Sequence, residues 1–151
     1  SNERLVRERL LTGHASTGSF LPLYREGLSA EQAIPEVADD LLALEGPFAC
    51  TLLGMGADGH FASLFPDFDG LAAALAPDNP QPCVAVRTAG SPYVRMSLTL
   101  ARLLDSRCTI LLIFGTDKRQ VLESAADGEA AYPVASLLKN RTGPLDVVWA
   151  P

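Results

Sequence analysis

No two cysteines stand at CxxC spacing in this chain, no apolar run approaches twenty residues, and acidic residues outnumber basic ones 18 to 12. Each shortage excludes something. Three widely spaced cysteines, Cys50, Cys83 and Cys108, do not match a cysteine zinc site. Cys50 and Cys108 lie in apolar runs and read as small buried thiols. Without a long apolar run there is no candidate membrane helix, and no leader-like segment opens the chain, so a cytoplasmic protein is expected. A formal net charge of -6 argues against broad nucleic-acid binding or attachment to an anionic membrane. A few local cations can still hold a small anionic ligand. No internal repeat or low-complexity tract is present.

What remains is ordinary for a globular domain: 151 residues, 48% apolar and 20% charged. That length predicts a single domain over residues 1–151 with a core of its own. Asn2 can cap a first helix with Leu5, Val6 and Leu10 on one side. Thr12 to Gly18 reads as a loop. Ser29-Ala30-Glu31-Gln32 has capping-box form and opens a helix to about Leu44, with Pro35 disturbing its first turns. Phe48–Leu53 reads as a buried strand, and a helical patch follows at Leu71–Leu75. Cys83–Thr88 and Val94–Leu98 are candidate strands, and Leu98–Asp105 is a short helix. Cys108–Phe114 is a near-continuous apolar run, as in a central parallel strand. A helix from Lys118 to Ala126, a short helix opened by Pro133, and a strand Leu145–Trp149 complete the pattern. Strands alternating with helices predict a layered, mostly parallel α/β sheet. The chain opens on a helix where such a fold usually opens on a strand and a phosphate-holding loop, so sequence is expected to be missing at the front.

The chemistry concentrates in Gly54-Met55-Gly56-Ala57-Asp58-Gly59-His60-Phe61-Ala62-Ser63-Leu64-Phe65-Pro66. An acid and an imidazole stand two residues apart on a glycine-rich turn just past a strand, where open α/β sheets present reactive groups. His60 has two readings: a structural histidine, or a base that takes a proton from water with Asp58 orienting it. Asp58 can instead hydrogen-bond its own turn. One His and one Asp are too few ligands for a metal site. Gly54 and Gly56 are either turn residues or points of close backbone approach to a ligand. The GxGxxG spacing is not met, so no dinucleotide reading follows. His14 reads as structural or exposed.

Arg95 interrupts an apolar and hydroxylated strand. An arginine on the buried side needs a partner, and phosphate supplies a bidentate one. Lys118 falls in the first turn of a helix, where a cation is disfavoured by the dipole unless an anion joins it. Thr116 and the amides of the Gly115–Lys118 turn can support the same anion. Each cation also has the plain reading of a surface charge.

The glycine run closely resembles the GxGxDGHxASLFP signature of the 6-phosphogluconolactonase family. Pro92-Tyr93-Val94-Arg95-Met96-Ser97-Leu98-Thr99 resembles its P-x-x-R-[IM]-[ST]-L-T segment, and Phe114-Gly115-Thr116-Asp117-Lys118 its G-x-x-K helix start. Tyr132-Pro133-Val134-Ala135 resembles the L-P-x-A segment, and Ser1-Asn2-Glu3-Arg4-Leu5-Val6 the S-N-x-x-L-[VA] helix. The resemblance implies a three-layer, Rossmann-like sheet of the sugar-phosphate isomerase/deaminase type. It implies hydrolysis of 6-phospho-D-glucono-1,5-lactone in the pentose phosphate pathway, without metal or organic cofactor. His60 matches the proposed base and Asp58 the acid beside it. Arg95 and Lys118 match residues near the substrate phosphate, with Gly54, Gly56, Gly59 and Thr116 completing the implied binding set. The expected partner is a small phosphorylated lactone, and the expected assembly a monomer or homodimer.

A sister family, glucosamine-6-phosphate deaminase, carries A-F-N-E-P after the shared histidine. Here Phe65 stands where that glutamate would, and it cannot transfer a proton. The family's opening strand, its glycine-rich S-G-G loop and its D-E-R segment have no counterpart in this chain. A second reading is therefore a non-catalytic fragment that binds sugar phosphate or pairs with a copy of itself through an exposed sheet edge. Deaminase activity is a third.

Overall fold

The computed structural model describes residues 2–128 and 131–151. In chain order its elements are α1 (Asn2–Arg9), α2 (Ala30–Leu42), β1 (Thr51–Gly54), α3 (Leu71–Ala74), β2 (Cys83–Val86) and β3 (Arg95–Leu98). They continue with α4 (Leu100–Leu104), β4 (Thr109–Phe114), α5 (Thr116–Asp127), α6 (Pro133–Asn140) and β5 (Leu145–Ala150). Strand β4, read as Thr-Ile-Leu-Leu-Ile-Phe, is the middle of a three-stranded parallel sheet ordered β1-β4-β5. Thr51 pairs with Thr109 and Gly54 with Leu112, so β1 and β4 run in parallel and β1 ends two residues before the carboxyl end of β4. The expected mostly parallel α/β sheet is present.

Alternation decides which strand residues are buried. Leu53, Leu111 and Ile113 turn inward and join Leu100, Leu103, Leu122, Val134 and Leu137 in the main core beneath α4, α5 and α6. Leu111 and Leu137 are completely buried, each burial being worth about 1.5–3 kcal/mol. Leu52, Phe114 and Val148 point the other way and are exposed. Strand β1 is thus buried on one face only, unlike the fully buried strand expected there.

Strand β1 is also shorter than expected. Phe48 makes only an isolated bridge to Ser106, and regular pairing starts at Thr51. The Phe48 ring instead lies beneath the Arg102 guanidinium, 3.9 Å from the ring centroid. Cys50 and Cys108 stand just before their strands. Cys50 is exposed and Cys108 intermediate, so the buried thiol is Cys83. The expected inward placement of the first two fails because these strand ends are not covered.

A smaller core joins α2 to the antiparallel pair β2–β3. Ala33, Val37, Ala38 and Leu41 pack there with Cys83. Both halves of the capping box are present: Gln32 N–H donates to Ser29 Oγ, and Ser29 N–H donates to Gln32 Oε1. Helix α2 runs on through Pro35, the sixth residue, which has no N–H to donate to the Glu31 carbonyl. Helix α1 buries none of its residues, so the apolar side expected of Leu5 and Leu10 stays open. Ser1, the first residue of the S-N motif, lies outside the described residues. No helix among the described residues is long and apolar enough to cross a membrane.

Candidate active site

The glycine motif leaves β1 at its carboxyl end and folds into a tight loop whose residues alternate between anchor and display. Phe61 and Leu64 are fully buried and fasten the loop in the main core. His60 and Ala62 between them line a cavity of about 400 Å³ with Leu52, Gly54, Gly56 and Lys118. Ala62 holds a positive φ of 50° there, a strained conformation that a small side chain tolerates best.

The acid and the imidazole are paired. His60 Nδ1 lies 2.6 Å from Asp58 Oδ1, and the His60 backbone N–H reaches the same oxygen at 3.3 Å. A carboxylate accepts, so Nδ1 carries a proton, and in the neutral imidazole Nε2 is the nitrogen left with a lone pair. Partial burial pushes the Asp58 carboxyl up, but the hydrogen bonds from the His60 ring and backbone outweigh it and hold the group below its ordinary value.

The three glycines do different work. A Cβ on Gly56 would lie 2.5 Å from Asp58 Oδ1 and closer still to His60 Nδ1, so its bareness makes room for the pair. Gly59 has φ +75°, and a Cβ there would lie 2.7 Å from Tyr132 Cβ. Its carbonyl accepts from Val134 N–H at 3.0 Å, which ties the loop to the start of α6. Gly59 is outside the cavity lining, whereas Gly54 lines the cavity, and a Cβ there would make an ordinary contact of 3.9 Å with the Leu112 carbonyl oxygen.

Lys118 is the third residue of α5, in its first turn as expected, and shares the cavity with His60. Thr116 opens that helix and is exposed. The preceding Gly115 turn is fixed from β5: Gly115 N–H donates to the Ala150 carbonyl, and Trp149 Nε1–H donates to the Gly115 carbonyl at 3.0 Å. Arg95 departs from expectation. It is exposed because it is the first residue of β3, at the open end of the β2–β3 pair, although it shares a sheet face with the buried Ser97 two residues on. Its guanidinium carbon stands over the Phe65 ring, 4.9 Å from the centroid.

Two participants carried no signal as functional groups in the sequence. Phe65 packs against the His60 imidazole with centroids 4.0 Å apart, and so touches both His60 and Arg95. Ser97 Oγ accepts from Ser63 N–H at 3.1 Å and donates to the Leu98 carbonyl, clamping the loop to β3. The Ser97 contact crosses thirty-four residues, beyond the reach of a local pattern. Among the described residues no three His, Cys, Asp or Glu side chains are grouped to hold a metal ion. His14 is exposed in a short 3-10 turn.

A parallel α/β sheet with an Asp-oriented histidine and a lysine at its carboxyl edge places the site where open α/β sheets bind their ligands. Sequence comparison narrows it. Residues 1–149 match the family described as glucosamine-6-phosphate isomerases/6-phosphogluconolactonase, and the chain belongs to that family. It is 37% identical over 153 residues to a 6-phosphogluconolactonase of Rhizobium meliloti (strain 1021), covering all of this chain and 66% of the relative. A 6-phosphogluconolactonase of Mesorhizobium japonicum is 38% identical, with 63% of its length covered. The crystal structure of a 6-phosphogluconolactonase from Shewanella baltica OS155 superposes with a TM-score of 0.90 at 37% identity, over 100% of this chain and 65% of that one. The chain thus spans 63–66% of the length of these relatives. A monomeric glucosamine-6-phosphate deaminase shares the fold at 16% identity and a TM-score of 0.54.

Proposed function

We propose that the protein hydrolyses 6-phospho-D-glucono-1,5-lactone to 6-phospho-D-gluconate. The observation that carries this reading is the Asp58–His60 pair at 2.6 Å, its ring facing a cavity that also receives Lys118. His60 Nε2 takes a proton from water as the oxygen attacks the lactone carbonyl carbon. Asp58 stabilises the imidazolium that forms. The tetrahedral intermediate collapses, the bond from the carbonyl carbon to the ring oxygen breaks, and His60 returns the proton to that oxygen. The ring opens to the free acid. Lys118 and Arg95 hold the phosphate, supported by Thr116 and the amides that open α5, which turns its positive end to the anion. Gly54 lets the chain approach the sugar. No step calls for a metal or organic cofactor, because a lactone is already activated and positioned water suffices.

The names of the similar proteins support this substrate. Phe65 speaks against the deaminase reading, since it offers no proton where that chemistry uses a carboxyl group. We place the enzyme in the cytoplasm, where the three free thiols stay reduced. The test is hydrolysis of freshly generated 6-phosphogluconolactone by this chain, measured against the spontaneous rate. Acceleration is expected, and His60→Ala is expected to abolish it while the circular dichroism spectrum is retained. A folded parent chain that leaves the spontaneous rate unchanged overturns the reading.

A further inference from the structure

We propose that Phe65 is a positioning residue: one ring braces both the His60 imidazole and the Arg95 guanidinium, and so sets the base and a phosphate-holding cation in register. The imidazole packs on this ring at 4.0 Å between centroids and a tilt of 31°, and Arg95 stands over it at 4.9 Å. An aromatic ring suits both neighbours, since its face attracts cations and accepts flat groups. No aliphatic side chain offers such a face.

The ring is itself held. Leu64 before it is fully buried, and Pro66 after it restricts the backbone at position 65. Two residues earlier, Ser63 N–H is bonded to Ser97 Oγ on β3, the strand that begins with Arg95. The loop carrying the base and the strand carrying the cation therefore meet twice, once through a hydrogen bond and once through the ring. Arg95 does not line the cavity that His60 faces, so Phe65 is the link that relates its position to the reacting end of the site.

This role rests on the lactonase reading for its kinetic consequences and on geometry alone for its structural one. Phe65→Leu keeps apolar bulk and removes the flat face, while Phe65→Tyr keeps the face. In the leucine variant kcat is expected to fall about 10- to 100-fold, the scale for a base displaced by up to an ångström. KM is expected to rise roughly 3- to 5-fold as Arg95 loses its support. The tyrosine variant should remain within about twofold of the parent on both. In an Arg95→Ala background the leucine change should no longer raise KM. Independently of any substrate, the His60 ring protons should show an upfield ring-current shift that persists in the tyrosine variant and disappears in the leucine one. Phe65→Met replaces the leucine variant if that one does not fold.

Parental kcat and KM in a folded leucine variant, or His60 resonances indifferent to the ring, overturn the role. A parent chain that does not hydrolyse the lactone sinks the functional reading instead, and the His60 resonances then decide on Phe65 alone.

Discussion

Gly56→Ala is the sharpest single perturbation of this site. The added carbon would stand 2.5 Å from Asp58 Oδ1 and closer still to His60 Nδ1, so both side chains of the pair must yield. Ordinary contact begins near 3.4 Å, and the pair must therefore shift by about an ångström or separate. A displacement of that size costs on the order of 100-fold in rate, and full loss of the base about 100- to 10,000-fold. The backbone raises no objection, because Gly56 is not among the glycines with positive φ. Replacing glycine by alanine removes unfolded-chain entropy worth about 0.4–1 kcal/mol, which here offsets part of the cost of displacing the pair. The expected result is a variant that melts at or near the parental temperature and whose kcat/KM falls about 100-fold or more. Gly90→Ala, with open space around it, is the control and should change neither quantity. Lactone hydrolysis followed by proton release, alongside thermal melting, measures both. Parental activity in Gly56→Ala would refute the claim that this glycine exists to admit the Asp58–His60 pair.

The neighbouring glycine should behave in the opposite way. Gly59→Ala combines φ +75° with a contact of 2.7 Å to Tyr132 Cβ, so it should destabilise the fold by about 1–3 kcal/mol in urea unfolding as well as disturb the site. Ser97→Ala leaves the Ser63 N–H without its acceptor beneath a loop that is otherwise anchored, for an expected loss of about 1–3 kcal/mol by the same measurement. The Asp58 carboxyl is held below its ordinary value by His60, so the stability it contributes is present above the ordinary aspartate range. That contribution is lost as pH falls through the depressed value. Asp58→Asn should flatten this part of the acid-unfolding curve and lower kcat about 100- to 10,000-fold, both checked across a pH series.

Where the chemistry is local, it was legible in the sequence. Ser29 and Gln32 stand three apart because their side chains cap each other's backbone, and Pro133 opens α6 because a first helical position needs no N–H donor. The run from Thr109 to Phe114 reads as a central strand because both of its edges are paired. Asp58 and His60 could be suggested as a pair from their spacing on a glycine turn together with the family resemblance, but not their geometry. Long-range facts were not legible. Arg95 was expected on the buried side because its neighbours are apolar or hydroxylated; it does share a face with the buried Ser97, but at the first position of β3 that face is uncovered. Cys50 sits in an apolar stretch and yet is exposed, because hydrophobicity along the chain does not say where pairing begins. Phe65 could be read only as the absence of a carboxylate. Its contact with Arg95 joins residues thirty apart and exists only after β3 is laid against the loop.

The same tertiary view explains why so much of the motif is not chemistry at all. A loop that presents a base must be stiffer than loops usually are, and this one is tied at independent points. Gly59 joins it to α6 through its carbonyl and through Tyr132. Phe61 and Leu64 fasten it to the core beneath, and Ser63 fastens it to β3. Gly56 leaves the hole into which the Asp58–His60 pair closes, with Gly56 N–H donating to the His60 carbonyl across the turn. Each anchor uses a different residue type because each meets a different neighbour: a bare backbone for a side-chain pair, a left-handed turn for an aromatic ring, two apolar side chains for the core. The spacing of the motif is thus the spacing of its neighbours around one turn. Any substitution that keeps Asp58 and His60 but loosens an anchor should reduce activity without touching a reacting atom.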